Sequence, residues 1–226
     1  MKTVTPVYSI TPFTLLDYPD RTACILWFAG CNMRCSYCYN PDIVLGKGKL
    51  SINQTMDFLH SRKGILDGVV LSGGECTLHK HLIPVIKEIR SLGYVVKLDT
   101  NGCRPKVMKQ ILEEKLVDYV ALDFKALPES FQSVTSSDLF AEFEETLMLL
   151  IKSTTCFELR TTVHADLIDE KDFRAMVCFL ESKHYKGNYY VQHFVNQVPT
   201  LGNLGYSGKE FINKDFSTVH IQVVFR

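Results

Sequence analysis

Short apolar runs recur along the chain, each closed off by glycine, proline or charged residues, and between them apolar positions fall at helical spacing. The run at 22–29, TACILWFA, is rich in β-branched and aromatic residues and predicts a buried parallel strand. Similar runs at 68–72, 94–98, 117–122, 156–163 and 189–195 predict further strands. Helical patterns lie between them: 52–62 behind an N-cap at Ser51, 79–92, 105–115 opened by Pro105, 138–152 and 169–183. Strand and helix alternate six times, which argues for parallel βαβ units. Six units are too few to close an eight-stranded barrel. The expected fold class is therefore α/β: a partial (β/α)6 TIM-like barrel, open at one side, with a slot for a large substrate.

The remaining stretches are less patterned. Residues 9–21 read as a lead-in with a turn at Tyr18-Pro19-Asp20. The polar stretch 128–137 reads as a mobile loop, and 200–214 is rich in Gly and Asn with no clear element. A short terminal strand is expected at 219–225. Neither a linker nor a repeat beyond the βα rhythm interrupts the pattern. One domain is expected over 1–226, with a core at about 16–195 and a C-terminal extension at 196–226.

Composition narrows the class. The chain has 226 residues, 46% hydrophobic and 22% charged, enough for one sizeable core. Its formal net charge is zero, which argues against a broad basic field for nucleic acid. Apolar runs are too brief for a membrane span, and residues 1–12 lack the basic start and apolar centre of a signal peptide. Eight cysteines without an export signal fit a reducing cytoplasm better than a disulfide scaffold. Cys24, Cys76, Cys103, Cys156 and Cys178 are scattered and read as small buried hydrophobes.

The other three cysteines are different. Cys31, Cys35 and Cys38 form CxxxCxxC directly after the first predicted strand, at its carboxyl end, where α/β barrels gather their active sites. Thiolates are the usual ligands of iron–sulfur clusters, and a four-iron cluster fully held by protein needs four of them. Three nearby cysteines would leave one iron open. Half a zinc site or a redox pair are the competing readings, but no second CxxC or HxxxH completes a zinc set.

Other strand ends carry polar groups. Gly73-Gly74-Glu75 follows the second strand and Asp99-Thr100-Asn101-Gly102 the third. Asp123 and Lys125 follow the fourth, and Arg160 interrupts the apolar fifth. An arginine placed there needs an internal carboxylate or a ligand. His193 lies in the sixth strand, and Asn40 follows the cysteine run.

Together these stretches resemble the radical S-adenosylmethionine (SAM) superfamily, and within it the glycyl-radical-enzyme activating family. That family includes the activases of anaerobic ribonucleotide reductase and of pyruvate formate-lyase. The resemblance runs from about residue 16 to 195 and includes Asp17-Tyr18-Pro19, the GGE triplet, LDTNG and the Asp123/Lys125 pair. It implies a [4Fe-4S] cluster on Cys31, Cys35 and Cys38, whose open iron chelates the amino and carboxylate groups of SAM. Reductive cleavage of SAM would then give a 5′-deoxyadenosyl radical, which takes a hydrogen from a backbone glycine of a partner enzyme. Tyr37 matches the superfamily's aromatic before the third cysteine, and Asn40 matches the activases' CxN.

In the same family Gly73, Gly74 and Glu75 would contact the SAM amino group, with Cys76 standing where proline is common. Asp99 and Thr100 would line the SAM site and, with Asp123, join a monovalent cation site. Lys125 would neutralise the SAM carboxylate, Arg160 would meet that carboxylate or the ribose, and His193 would lie near the adenosine. The implied partners are a glycyl radical enzyme and a small reductant protein such as flavodoxin or ferredoxin. Residues 128–137 and 196–214 are the expected partner-facing loops. Two other readings remain: a radical SAM enzyme acting on a small molecule, such as 7-carboxy-7-deazaguanine synthase, and a non-catalytic iron–sulfur or zinc module.

Overall fold

The computed structural model describes residues 5–202, 204–207 and 215–226. One eight-stranded sheet runs in sequence order. Its strands are β1 (Val7–Thr14), β2 (Ala23–Phe28), β3 (Gly68–Gly73), β4 (Val95–Thr100), β5 (Tyr119–Asp123), β6 (Cys156–Val163), β7 (Gly187–His193) and β8 (Ile221–Phe225). β1 is antiparallel to β2, and every later pair is parallel. Among the described residues no pairing joins β8 back to β1, so the barrel is open as expected, although the sheet has eight strands and not six.

The helices are α1 (Pro41–Leu45), α2 (Ile52–Ser61), α3 (Leu82–Ser91), α4 (Pro105–Glu113), α5 (Pro128–Thr135), α6 (Phe140–Lys152) and α7 (Glu170–Ser182). Ser51 caps α2 in a capping box with Gln54, and Asp169 does the same for α7 with Asp172.

Alternation along the strands sorts side chains into two environments. Cys24, Leu26, Val69, Leu71, Val96, Leu98, Val120 and Leu122 face the helices and join Met56, Leu59, Ile86, Ile89, Ile111 and Leu147 in the main core. The inward set begins at the amino end with Ala23, Ile25 and Val70, packed around Tyr18. That plug fills the base of the barrel and leaves its other end to polar residues.

Three expectations are corrected, and the expected terminal strand is present. Much of the expected lead-in 9–21 is strand β1, an edge strand, where Pro12 is tolerated because one side of the strand has no ladder to fill. The expected mobile loop 128–137 is mostly helix α5, which buries Phe131, Val134 and Thr135. The terminal strand lies parallel to β7, adding a seventh parallel strand to the expected six. Cys156 and Cys178 are exposed rather than buried, while Cys24, Cys76 and Cys103 are buried as expected. Part of the unpatterned stretch, 203 and 208–214, lies outside the described residues. Among the described residues no helix is long and apolar enough to cross a membrane.

Candidate functional site

The cysteine loop begins where β2 ends. Gly30 has φ +84°, a conformation open to glycine, and turns the chain into the loop. Two separate segments then hold it. On one side the Arg34 and Ser36 amides donate to the carbonyls of Thr135 (2.8 Å) and Val134 (3.3 Å) at the end of α5. On the other, the Leu201 and Gly202 amides donate to the carbonyls of Cys38 and Ser36, both at 2.9 Å. Both segments expected to face a partner, 128–137 and 196–214, therefore have backbone committed to the cysteine loop.

The end of β3 closes against the same loop. A Cβ on Gly73 would lie 2.3 Å from the Phe28 carbonyl oxygen, and one on Gly74 would lie 2.0 Å from that of Gly30. Any larger residue at either place would push the two strand ends apart. The glycines thus have a packing reason as well as giving backbone access to the space above.

Cys31, Cys35 and Cys38 all border one cavity of about 290 Å³ at the carboxyl ends of the strands. None is in a disulfide. Burial pushes the Cys35 thiol up to about 11, so metal binding there would displace a proton. Cys31 Sγ accepts from the Met33 amide at 3.4 Å and from Asn101 Nδ2 at 3.9 Å. Three soft thiolate donors with N–H groups aimed at one sulfur suit an iron–sulfur cluster. Tyr37 is buried, and its hydroxyl has no hydrogen-bond partner, although its residue borders the cavity. A buried phenol in that condition favours a polar ligand beside it.

The facing wall is ionic. Asp99 takes Lys97 Nζ on one oxygen at 2.6 Å; its other oxygen takes Ser72 Oγ at 3.2 Å and Arg160 NH1 at 3.4 Å. Asp123 takes Arg160 Nε at 3.0 Å and Lys125 Nζ at 3.1 Å. Burial opposes the charge on Asp123, yet Arg160 and Lys125 together hold its carboxyl below the usual range. Burial likewise opposes the charge on Lys125, and Asp123 overrides it, raising the ammonium well above its usual value.

Of the residues expected in the site, Cys31, Cys35, Tyr37, Cys38, Asn40, Gly73, Gly74, Asp99, Thr100, Asp123, Lys125 and Arg160 border this one cavity. Two do not. The Glu75 side chain is buried away from it and accepts from the amides of Thr77 and Asn101 and the hydroxyls of Thr77 and Thr100. Glu75 caps the short 3-10 turn Cys76–Leu78, which draws its carboxylate beneath the end of β4. It braces the DTNG turn, and the GGE triplet reaches the cavity through its glycines. Cys76, where proline was the common residue, is buried and points its thiol at the carbonyls of Leu71 (3.8 Å) and Asp99 (3.5 Å). His193 is exposed at the end of β7 and stacks on Phe225, 5.6 Å between ring centroids; the preceding Gln192 borders the cavity in its place.

Other contributors were not singled out from the sequence. Trp27, Ser72, Asn101 and Gln192 border the cavity, and Lys97 lies just beneath it. Lys97 could have been found: it interrupts an apolar strand as Arg160 does, two residues before an aspartate on the same face.

Soft donors on a loop after the first parallel strand, facing cations on later strands of an open barrel, define a class, and the sequence comparison agrees. The chain belongs to the radical SAM superfamily, whose family model matches residues 25–171. It is an enzyme of that class, with relatives among activating enzymes. A Methanocaldococcus jannaschii protein named "Putative glycyl-radical enzyme activating enzyme" is 32% identical over 176 residues, 74% of this chain and 71% of that protein. The pyruvate formate-lyase-activating enzyme of Clostridium pasteurianum is 35% identical over 127 residues, 53% of this chain and 52% of that enzyme. The crystal structure of Streptococcus suis SuiB bound to S-adenosylmethionine shares the fold at TM-score 0.62 and 12% identity, over 78% of this chain and 41% of that one. The chain thus matches about half of the clostridial enzyme and two fifths of SuiB.

Proposed function

We propose that the chain is an activase that cleaves SAM reductively at a [4Fe-4S] cluster and leaves a glycyl radical on a partner enzyme. The partner would be an anaerobic ribonucleotide reductase or a pyruvate formate-lyase-like enzyme, in an anaerobic cytoplasm, with flavodoxin or ferredoxin as electron source. The observation that carries this reading is the opposition of three thiols and two cations, Lys125 and Arg160, across one cavity. When bound, the cluster and SAM would supply one-electron cleavage of a sulfonium C–S bond.

The chain's own residues have narrower tasks. Cys31, Cys35 and Cys38 would hold three irons. The backbone of Gly73 and Gly74 would admit the SAM amino group, and Lys125 and Arg160, while held by Asp123, would offer their remaining N–H groups to the SAM carboxylate. Tyr37, Asn40, Asp99 and Thr100 would complete the wall. Holding the reacting groups in one orientation, away from bulk water, is the protein's share of the catalysis.

Entry from the side also has support. Leu45 follows Val44 at the cavity and is 63% exposed; Val195, 57% exposed, donates its amide to the hydroxyl of Tyr39, another cavity residue. Apolar side chains left exposed beside a polar cavity suit a docking protein.

The test uses anaerobically reconstituted protein, dithionite, SAM and a candidate partner whose glycines are deuterated. Deuterium in 5′-deoxyadenosine is expected. SAM cleavage without transfer from any glycyl radical enzyme would redirect the reading to a small-molecule substrate. A cluster that leaves SAM intact would end it.

A further inference from the structure

Lys97 is the most buried cation at this end of the barrel among the described residues. It lies mid-strand in β4, two residues before Asp99, so both side chains point inward. Its side chain is 2% exposed, against 13% for Asp99 and 14% for Arg160. A buried ammonium persists only with a close partner. Here that partner is Asp99 Oδ1 at 2.6 Å.

The surrounding carboxylates are already occupied. Each oxygen of Asp99 and of Asp123 takes a protein cation, from Lys97, Arg160 or Lys125, so three cations face two carboxylates. Glu158, the next acid along β6, is taken by Arg226 at 3.0 Å and by the Tyr119 hydroxyl at 3.1 Å. Thr100 has its hydroxyl turned to Glu75 and accepts from the Gly102 amide. A dissolved sodium or potassium ion at Asp99, Thr100 and Asp123 would enter a group whose carboxylate oxygens are each already taken by a protein cation. It would also have to take an oxygen that now holds a buried ammonium. The donor set of Asp99, Thr100 and Asp123 does not fit a free monovalent ion.

We propose that Lys97 is a built-in cation: its tethered ammonium holds Asp99 as a free monovalent ion otherwise would, so the SAM site needs no such ion. Lys97 is a positioning residue on this account, fixing Asp99 and through it Arg160. The inference rests on the SAM site proposed above, and its test separates the two.

SAM affinity of the anaerobically reconstituted protein is measured in potassium, sodium and tetramethylammonium chloride at equal ionic strength, with the thermal midpoint of each sample. The wild-type protein is expected to be indifferent, within about twofold in affinity. Lys97→Met is expected to bind SAM about tenfold or more weakly in tetramethylammonium, with saturable recovery in sodium or potassium. A merely structural lysine would give a weakened variant that no cation rescues, which would overturn the proposal. Saturable dependence of the wild-type protein on sodium or potassium would overturn it too, even if Lys97→Met failed to fold. If no salt supported SAM binding, the SAM reading would fall. The ammonium would still be tested by whether the midpoint of Lys97→Met, unlike wild type, rises saturably with sodium or potassium.

Discussion

At the amino ends of the strands the barrel interior is mostly apolar: Ala23, Ile25 and Val70 close around Tyr18, with Val95 and Tyr119 against them. At the carboxyl ends of the same strands, the inward positions are Trp27, Ser72, Asp99, Asp123 and Arg160. Only a few residues of each strand separate the two layers. The apolar end fixes strand spacing mainly by packing, with the Tyr119 hydroxyl on Glu158 as a polar exception. The polar end inherits that spacing and spends it on geometry, since ion pairs at 3 Å need carboxylates and cations already in place. A working site can therefore be strained in charge because the layer below it is not.

The sharpest way to break this contrast is Cys35→Ala, on the loop above the polar end. Loss of the intact cluster and of all SAM cleavage is expected, with the helical circular dichroism kept. Full iron content in that variant would refute the ligand assignment. The next largest effect lies below. Ile25 is buried in the plug, and Ile25→Ala should cost about 2–5 kcal/mol of stability by chemical denaturation, with SAM affinity unchanged under conditions where it is folded. Loss of SAM affinity in folded Ile25→Ala would show that the two layers are not separable. Smallest is Lys125→Ala, which removes a charge-assisted contact worth about 1.5–3 kcal/mol, or roughly 10- to 100-fold in SAM dissociation constant. Its iron content should match wild type; unchanged SAM affinity would take Lys125 out of the site.

Local signals that needed no partner were legible. The strand runs, the Ser51 cap, and the cysteines after β2 each follow from neighbours in sequence. Arg160 was legible because a guanidinium in an apolar run must be compensated. The same rule covered Lys97, whose compensating carboxylate is only two residues away. Three features were hidden for physical reasons. β1 is interrupted by Pro12, which argues against a strand in sequence, and it is ordered by its ladder to β2. α5 is polar over most of its length, and its order comes from burying Phe131 and Val134 beneath the cysteine loop. His193 and Gln192 are adjacent and face opposite ways, so the one-residue phase of β7 decided which of them reached the cavity.

By itself, the sequence determined the kinds of groups and the end of the barrel at which they emerge. Strand periodicity and loop position are local properties, and the chemistry of three thiols does not depend on the rest of the fold. Only the tertiary structure decided direction and occupancy: that Glu75 turns under the DTNG turn, that Asn101 reaches Cys31, and that Lys97 fills a carboxylate the motif leaves open. The reason is that a hydrogen bond or ion pair is fixed within a few tenths of an ångström by elements far apart in the chain. No spacing along one segment carries that information.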